Sequence, residues 1–456
     1  MQFMYFGLYF FVFLLTESLI NERAVIVFGA SNVNYIYAFG LIFTALGYLA
    51  FSIIKNETNK KKGIIFESLA FLSIIGTIEI NASIPFLLFS YICLFSLGYI
   101  GGLIHFETSL ELTRKNFSLY LGISSMFGII LQFITQNIGL SNNGYLIIIE
   151  LVLVFIVLLS LHNKSDNTPK ESIKMSKITI SVRTWVYIAS VAIMSLILGF
   201  QDSIIVIKNA NGELSLFSYV RLFYALGLLV AGIIANIKNR LYLPLASGCA
   251  MTLSVLSMSF LRDTNTLYNV SMGIMYFYCG FYVMFMTIMF MELGLRRNNP
   301  RLYAGFGRVV RCVTTCFVVL VTTALSNYIG ESIYTILSYI LSIGLLVFMA
   351  LSGILVPEKI PQKGNGILSN EIQLAERLKN LYTRYEFTPK EIETFEKLVT
   401  TEMGVQEIAD EMCVSRRVLQ RHISAIYEKT GAKTRAGLFI LLIDTPTAEA
   451  MGFLLH

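Results

Sequence analysis

The sequence predicts an all-α protein in two parts: a polytopic membrane helix bundle over residues 1–353 and a small four-helix domain over 384–446. Three observations carry this reading. Hydrophobic residues make up 55% of the chain and charged residues 14%, against about a quarter charged in an ordinary soluble domain. Apolar runs near the length that crosses a bilayer, roughly 20 residues, follow one another from Met1 to about Gly353. Past Val356 the charges return, and the apolar residues thin to the stripes of amphipathic helices.

In chain order, spans are expected near 3–20, 34–54, 64–80, 84–105, 117–136 and 145–161, and after a polar loop near 184–204, 216–237, 242–260, 267–291, 303–326 and 332–352. The N-terminus has neither the basic region nor the small-residue cleavage site of a signal peptide, so the first run reads as an uncleaved helix. Orientation follows from Lys and Arg, which stay on the cytoplasmic side. One set of alternate loops carries Lys55 and Lys60–Lys62, then Arg114 and Lys115, then five cations from Lys164 to Arg183, then Lys238 and Arg240, then Arg296, Arg297 and Arg301. The opposite set holds only Arg23, Lys208 and Arg262. This asymmetry puts both termini in the cytoplasm.

The halves 1–161 and 184–353 resemble each other at a fixed offset. RKNFSLYLG (114–122) aligns with RNNPRLYAG (297–305), and IKN (54–56) recurs at 237–239. Glu17 and Glu107 fall close to Asp202 and Glu292 at nearly the same spacing. A duplicated six-helix unit, joined by the basic loop 162–183, resembles the major facilitator architecture of two parallel repeats around a central cavity. The Gly-Asp-Arg-Gly-Arg-like run usual after that family's second helix is absent; NETNKKKG and NIKNRLYL keep only the basic character.

The remainder reads as a linker and amphipathic helix (354–383), the small domain, and a tail (447–456). VPEKIPQKGNG has linker composition. In the helix that follows, Ile372, Ala375, Leu378 and Leu381 form an apolar stripe, to be covered by the next domain or by a second chain. Thr388-Pro389 with Glu391 reads as a capping box with proline at the first helical position. VQEIADEM is a second short helix, and Ser415 caps a third whose inward face is Leu419, Ile423 and Ile426. A short helix, a tight turn and a helix with a basic N-terminal part form the arrangement that reads the DNA major groove.

Over about 60 residues this stretch resembles the LuxR-type DNA-binding domain. The matching positions are Thr388-Pro389, Glu391, Glu393, Glu407-Ile408-Ala409, Ser415, Leu419, His422, Ile426, Lys429 and Arg435. Departures are Val418, Gln420 and Thr430, where the family usually has Thr, Lys and Leu. The resemblance implies that Gln420, Arg421 and Ser424 face base edges, where Gln suits adenine and Arg guanine. Arg416, Arg417 and Lys429 are placed to neutralise phosphates. The fourth helix (434–443) is the family's dimerising element, so the expected partner is DNA, bound by a homodimer.

Charged side chains inside spans are costly unless paired or facing water, which makes each a site candidate. Glu17 and Asp202 are expected near the outer ends of the first and seventh spans, with Arg221 close enough to meet Asp202. Arg221 with Gln132, Tyr219 and Tyr224 would then receive an anionic small molecule, unless the charges form only a structural pair. Glu107 and Glu292 end the fourth and tenth spans, and Glu292 with Arg308 is expected to latch the cytoplasmic side; Arg311 lies beside Arg308 with no role assigned. The six cysteines have no metal spacing and no histidine partner, so neither metal nor disulfide framework is expected. No enzyme motif and no cofactor fingerprint is present. The leading expectation is a membrane-bound one-component transcription regulator of the bacterial inner membrane. Its bundle, in contact with lipid, would sense a small molecule and control the DNA-binding tail. The alternative is a secondary transporter of the major facilitator type with an appended regulatory DNA-binding domain.

Overall fold

The computed structural model describes residues 2–29, 32–54, 59–80, 82–162, 182–210, 219–258, 265–296, 299–325, 328, 331–352, 378, 381–400 and 403–444. Most of the central loop 162–183, most of the linker and amphipathic helix 354–383, and the tail 447–456 lie outside the described residues. The chain divides into two compact units, Met1–Ile360 and Pro361–His456.

The first unit is built from twelve long helices among its described residues. They are α1 (Gln2–Phe28), α2 (Val33–Ile53), α3 (Asn59–Glu79), α4 (Ser83–Ser109), α5 (Phe117–Asn137), α6 (Asn142–His162), α7 (Val182–Ala210), α8 (Leu222–Asn236), α9 (Leu243–Ser257), α10 (Asn265–Arg296), α11 (Phe306–Leu325) and α12 (Glu331–Leu351). A single helical turn, Pro300–Tyr303, precedes α11. Nine candidate spans, among the described residues, are long and apolar enough to cross a membrane, and α9 and the described part of α6 add shorter apolar stretches.

Each span read from the sequence falls on one of these helices; α1, α4, α7 and α10 overrun their apolar windows, whereas α8, α9 and α11 stop short of theirs. α1 continues past Ile20 because its polar residues find partners: Ser18 donates to Glu22 at 3.2 Å, and Arg23 donates to the Ile78 carbonyl at 2.9 Å. Glu17 therefore sits in mid-helix, not at the end where the hydropathy window stops. α4 likewise carries His105 inside the bundle, with Nδ1–H donating to the Gly101 carbonyl at 2.7 Å among the rings of Phe6, Tyr9 and Tyr48.

Helix packing repeats with a period of six. α1 packs on α4, α5 and α6, as α7 packs on α10, α11 and α12; α4 packs on α2 and α3, as α10 packs on α8 and α9. The halves meet along two seams, α5 against α8 and α2 against α11. At the first seam a Cβ on Gly122 would lie 2.8 Å from the Leu228 carbonyl oxygen and 3.0 Å from Gly232 Cα, so the two backbones cross at a separation that only glycine permits. The core is dominated by aromatic residues and methionines, with Tyr278, Tyr282, Phe285 and Phe290 of α10 fully buried. The bundle has a near end, where α1 begins, and a far end opposite it.

The second unit packs α13 (Pro389–Thr400), α14 (Val405–Glu411), α15 (Arg416–Thr430) and α16 (Arg435–Asp444) around Leu381, Phe395, Leu398, Ile408, Leu419, Ile426 and Leu438. Leu381 is buried there and Leu378 packs against the same cluster, so this part of the apolar stripe is covered within its own unit. The turn between α14 and α15 places Cys413 at φ 52°, and Ser415 accepts the Val418 N–H to start α15. Gly431, at φ 71°, ends α15 in the left-handed conformation favoured at a helix C-terminus.

Candidate functional site

Five charged side chains lie at or beside the line where the halves face each other. Arg311, on α11 of the second half, interacts electrostatically with Tyr37, Glu17 and Tyr282. Glu17 on α1 interacts first with Arg311, then with Arg308 and Arg221. Asp202 on α7 lies in the electrostatic field of the same Arg311. Arg308, 5% exposed, lies one turn nearer the near end, with its guanidinium 5.3 Å from the Phe10 ring of α1. Arg221 begins α8 and donates to Gln136 Oε1 of α5 at 3.0 Å; Gln136 in turn donates to Ser18 on α1 at 2.9 Å. Each of the three arginines thus reaches from the second half to residues of the first.

Aromatic hydroxyls surround this charge. Tyr9 and Tyr48 share a hydrogen bond of 3.1 Å, and Tyr9 donates to the Leu97 carbonyl at 3.0 Å. Tyr224 stands edge-on to Phe10 at 6.3 Å. A small recess beside the cluster is lined by Glu17, Asn21, Tyr37, Gly40 and Thr44, among others. Between the halves of a bundle, guanidinium groups beside hydroxyls and amides make a site for an anionic or hydroxylated solute, because they offer it charge-assisted hydrogen bonds in place of water.

The structure brings together part of the set read from the sequence. Glu17, Asp202, Arg221 and Tyr224 all belong to the cluster. Gln132 is buried, and no partner of its amide is found among the described residues. Tyr219 is 63% exposed at the start of the eighth span and does not turn into the cluster. Arg221 engages Gln136 instead of Asp202, because the residues at 219–221 form a short 3-10 turn that directs the arginine towards α5. The expected latch is rearranged as well: Glu292 lies 3.9 Å from Arg240, while Arg308 stacks on Phe10. Glu107 is electrostatically close to Glu67 of α3. Arg311, Tyr37, Gln136 and Arg240 are the residues that sequence reasoning missed. The usable signal for the first was the pair Arg308 and Arg311, three apart on a helix otherwise apolar, which one helical face must carry inward.

On the second unit, Arg416, Arg417, Gln420, Arg421 and Ser424 are all exposed on α15. Lys429 points the other way: its ammonium donates to Glu391 at 2.7 Å and to the Glu386 carbonyl at 3.0 Å. Glu391 also accepts the Thr388 N–H at 2.8 Å, the bond that the glutamate contributes to a capping box. Burial tends to raise the Glu391 pKa, but the Lys429 and Thr388 hydrogen bonds outweigh it and hold the carboxyl below its ordinary range. Arg435 donates to the carbonyls of Leu398 and Met403, at 2.5 and 2.6 Å, and ties α16 to the end of α13.

No protein-family model matches the chain, and no curated protein matches it. Solved structures do. The chain is similar in fold to the proton:xylose symporter XylE of the major facilitator superfamily, bound to 6-bromo-6-deoxy-D-glucose (11% identity, TM-score 0.54, 77% of this chain and 94% of that one). It is similar to the human organic anion transporter MFSD10 (12%, 0.55, 77% and 97%). It is also similar to the major facilitator superfamily transporter FucP in the outward conformation (12%, 0.54, 78% and 99%). The first unit is therefore an all-helical, multi-pass membrane bundle with the major facilitator fold.

These likenesses correct the leading functional expectation. All three proteins are solute transporters that match over nearly their whole lengths, and none is a DNA-binding regulator. The reading of the bundle as the sensor of a one-component transcription regulator gives way to the transporter alternative.

Proposed function

We propose that the chain is a secondary transporter of the major facilitator type for a small organic anion, carrying an appended LuxR-type domain that binds DNA. One observation carries the solute class. Arg221, Arg308 and Arg311 reach across between the halves, against the two acids Glu17 and Asp202, so the cluster is left with one positive charge in excess (three minus two). An anion offsets it, and the excess it meets grows by one when Glu17 takes up a proton. The name of one fold neighbour, an organic anion transporter, agrees with that class, and the name of another, a proton symporter, agrees with the coupling below.

Glu17 and the solute compete for Arg311. A proton taken up by Glu17 removes its negative charge and frees the guanidinium for the solute's anionic group, so anion and proton are bound together and released together. Loading of the site shifts the population between outward- and inward-open packings of the two halves. The near end lies in the cytoplasm, as the Lys and Arg pattern of the loops requires, and so do both termini. There the exposed α15 face, with Gln420, Arg421 and Ser424 towards the bases and Arg416 and Arg417 towards phosphates, binds paired half-sites as a homodimer.

The test is uptake into proteoliposomes, with a panel of radiolabelled mono-, di- and tricarboxylates and an imposed inward proton gradient. At least one anion should accumulate above protein-free liposomes, and the accumulation should vanish in Glu17→Gln. Protein that is folded and oriented yet moves none of the panel, with or without the gradient, contradicts the proposal.

A further inference from the structure

At the near end the halves are tied by two arginines, both from the second half and each on a different seam. Arg301, in the turn before α11, donates through Nε to the Phe51 carbonyl at 3.0 Å and through Nη2 to the Ile54 carbonyl at 2.5 Å. Its guanidinium lies 4.4 Å from the centre of the Phe51 ring. Arg240, after α8, is 8% exposed and donates through Nη2 to the Leu112 carbonyl at 2.7 Å, just beyond the end of α4. Its guanidinium is 6.0 Å from the Phe117 ring and 3.9 Å from Glu292.

The two acceptors differ: Arg301 meets the last carbonyls of α2, whereas Arg240 meets a carbonyl of the turn that follows α4. The last carbonyls of a helix have no partner within the helix, and the aligned peptide dipoles leave them partly negative. A guanidinium set against them makes charge-assisted bonds, and a ring beneath it adds attraction to the cation while shielding it from water. Arg301 caps α2 on the α2–α11 seam, and Arg240 holds the turn between α4 and α5 beside the α5–α8 seam. The internal repeat does not dictate this: with the offset that takes Arg114 to Arg297, the first half has Ser118 where the second has Arg301, and Glu57 where it has Arg240. The ties therefore run in one direction, cations of one half onto carbonyls of the other. They occupy the end of the bundle where the acidic and basic family run after the second helix is missing.

We propose that Arg240 and Arg301 are paired bolts that hold the near end shut, one per seam, and that both must release before the near side can open. The inference deepens the transporter reading and rests on it for its purpose, but its test needs no solute, so the two fail separately. Full-length protein in lipid nanodiscs is followed by hydrogen–deuterium exchange, wild type beside Arg240→Gln/Arg301→Gln. Exchange over residues 50–54 and 108–117 should rise by about tenfold or more, while residues 32–40 at the far end and the second unit keep wild-type rates. Near-end rates within about twofold of wild type in the double variant overturn the proposal.

Arg301→Lys supplies a decision that does not depend on the double variant folding. It keeps the charge and loses the paired donation, so exchange should rise over 50–54 and stay unchanged over 108–117. No rise at 50–54, or an equal rise at both segments, overturns the assignment of one bolt to each seam.

Discussion

Replacing Glu391 by Ala should destabilise the second unit strongly, although the residue touches neither solute nor DNA. Its carboxylate is 6% exposed and holds the Lys429 ammonium at 2.7 Å and the Thr388 N–H at 2.8 Å. Losing the helix cap costs about 1 kcal/mol. The charge-assisted bond to Lys429 is worth about 1.5–3 kcal/mol in general. The Lys429 side chain is 34% exposed, so solvent screens the pair and the low end of that range applies. The two losses together come to about 2–3 kcal/mol, which for a unit below 100 residues lowers the midpoint of thermal unfolding by roughly 10–20 °C. Exchange of residues 389–430 in the full-length protein, measured across a temperature series, reads the shift. A drop of less than about 3 °C would refute the assignment, showing that water replaces both partners without loss. The pH dependence has a definite sign. The folded carboxyl titrates below its unfolded value, 4.5, so its stabilisation is complete above that value and is lost as the pH falls through the folded one. Wild type and Glu391→Ala should therefore converge as the pH falls through the folded value.

Two other predictions concern the site and the appended domain. Arg311→Gln removes the cation that acts most strongly on Glu17 and should lower the melting temperature of the bundle, a loss that Glu17→Gln/Arg311→Gln should partly restore; equal melting temperatures for the single and double variants would show that the two charges do not interact. Arg421→Ala should weaken binding to an occupied DNA site by about tenfold or more with unchanged helix content, read by chromatin immunoprecipitation of full-length protein. Equal occupancy by both forms would remove α15 as the reading element.

Much of the fold was legible because bilayer physics is insistent. Twenty-residue apolar runs announce helices, and the recurrence of Arg-x-Asn-x-x-Leu-Tyr-x-Gly at 114–122 and 297–305 announced the halves. Helix ends were less legible, since hydropathy windows stop at polar residues whereas helices stop where hydrogen bonding does. Arg23 bonded to the Ile78 carbonyl and His105 bonded to the Gly101 carbonyl both extend helices past the apolar run. The candidate site was legible by residue type and not by pairing. A charge inside a span must find a partner, but which partner depends on seams between helices far apart in sequence. The eighth-span turn at 219–221 sends Arg221 to Gln136, and a loop arginine, Arg240, takes the place expected for Arg308 beside Glu292. Function was less legible, because a repeat of six helices without the family's loop run suits a sensor as well as a carrier; the likeness to solved transporters lies in three dimensions, at 11–12% identity.

The most direct test of the central claim is tracer counterflow in proteoliposomes preloaded with unlabelled carboxylate, comparing wild type with Glu17→Gln. A transporter in which Glu17 and the anion compete for Arg311 should exchange tracer in both forms, since glutamine resembles the protonated acid, while only wild type accumulates tracer against its gradient when protons flow inward. Absence of exchange in both forms, from protein shown to be folded, would contradict transport. Accumulation preserved in Glu17→Gln would contradict the role of Glu17.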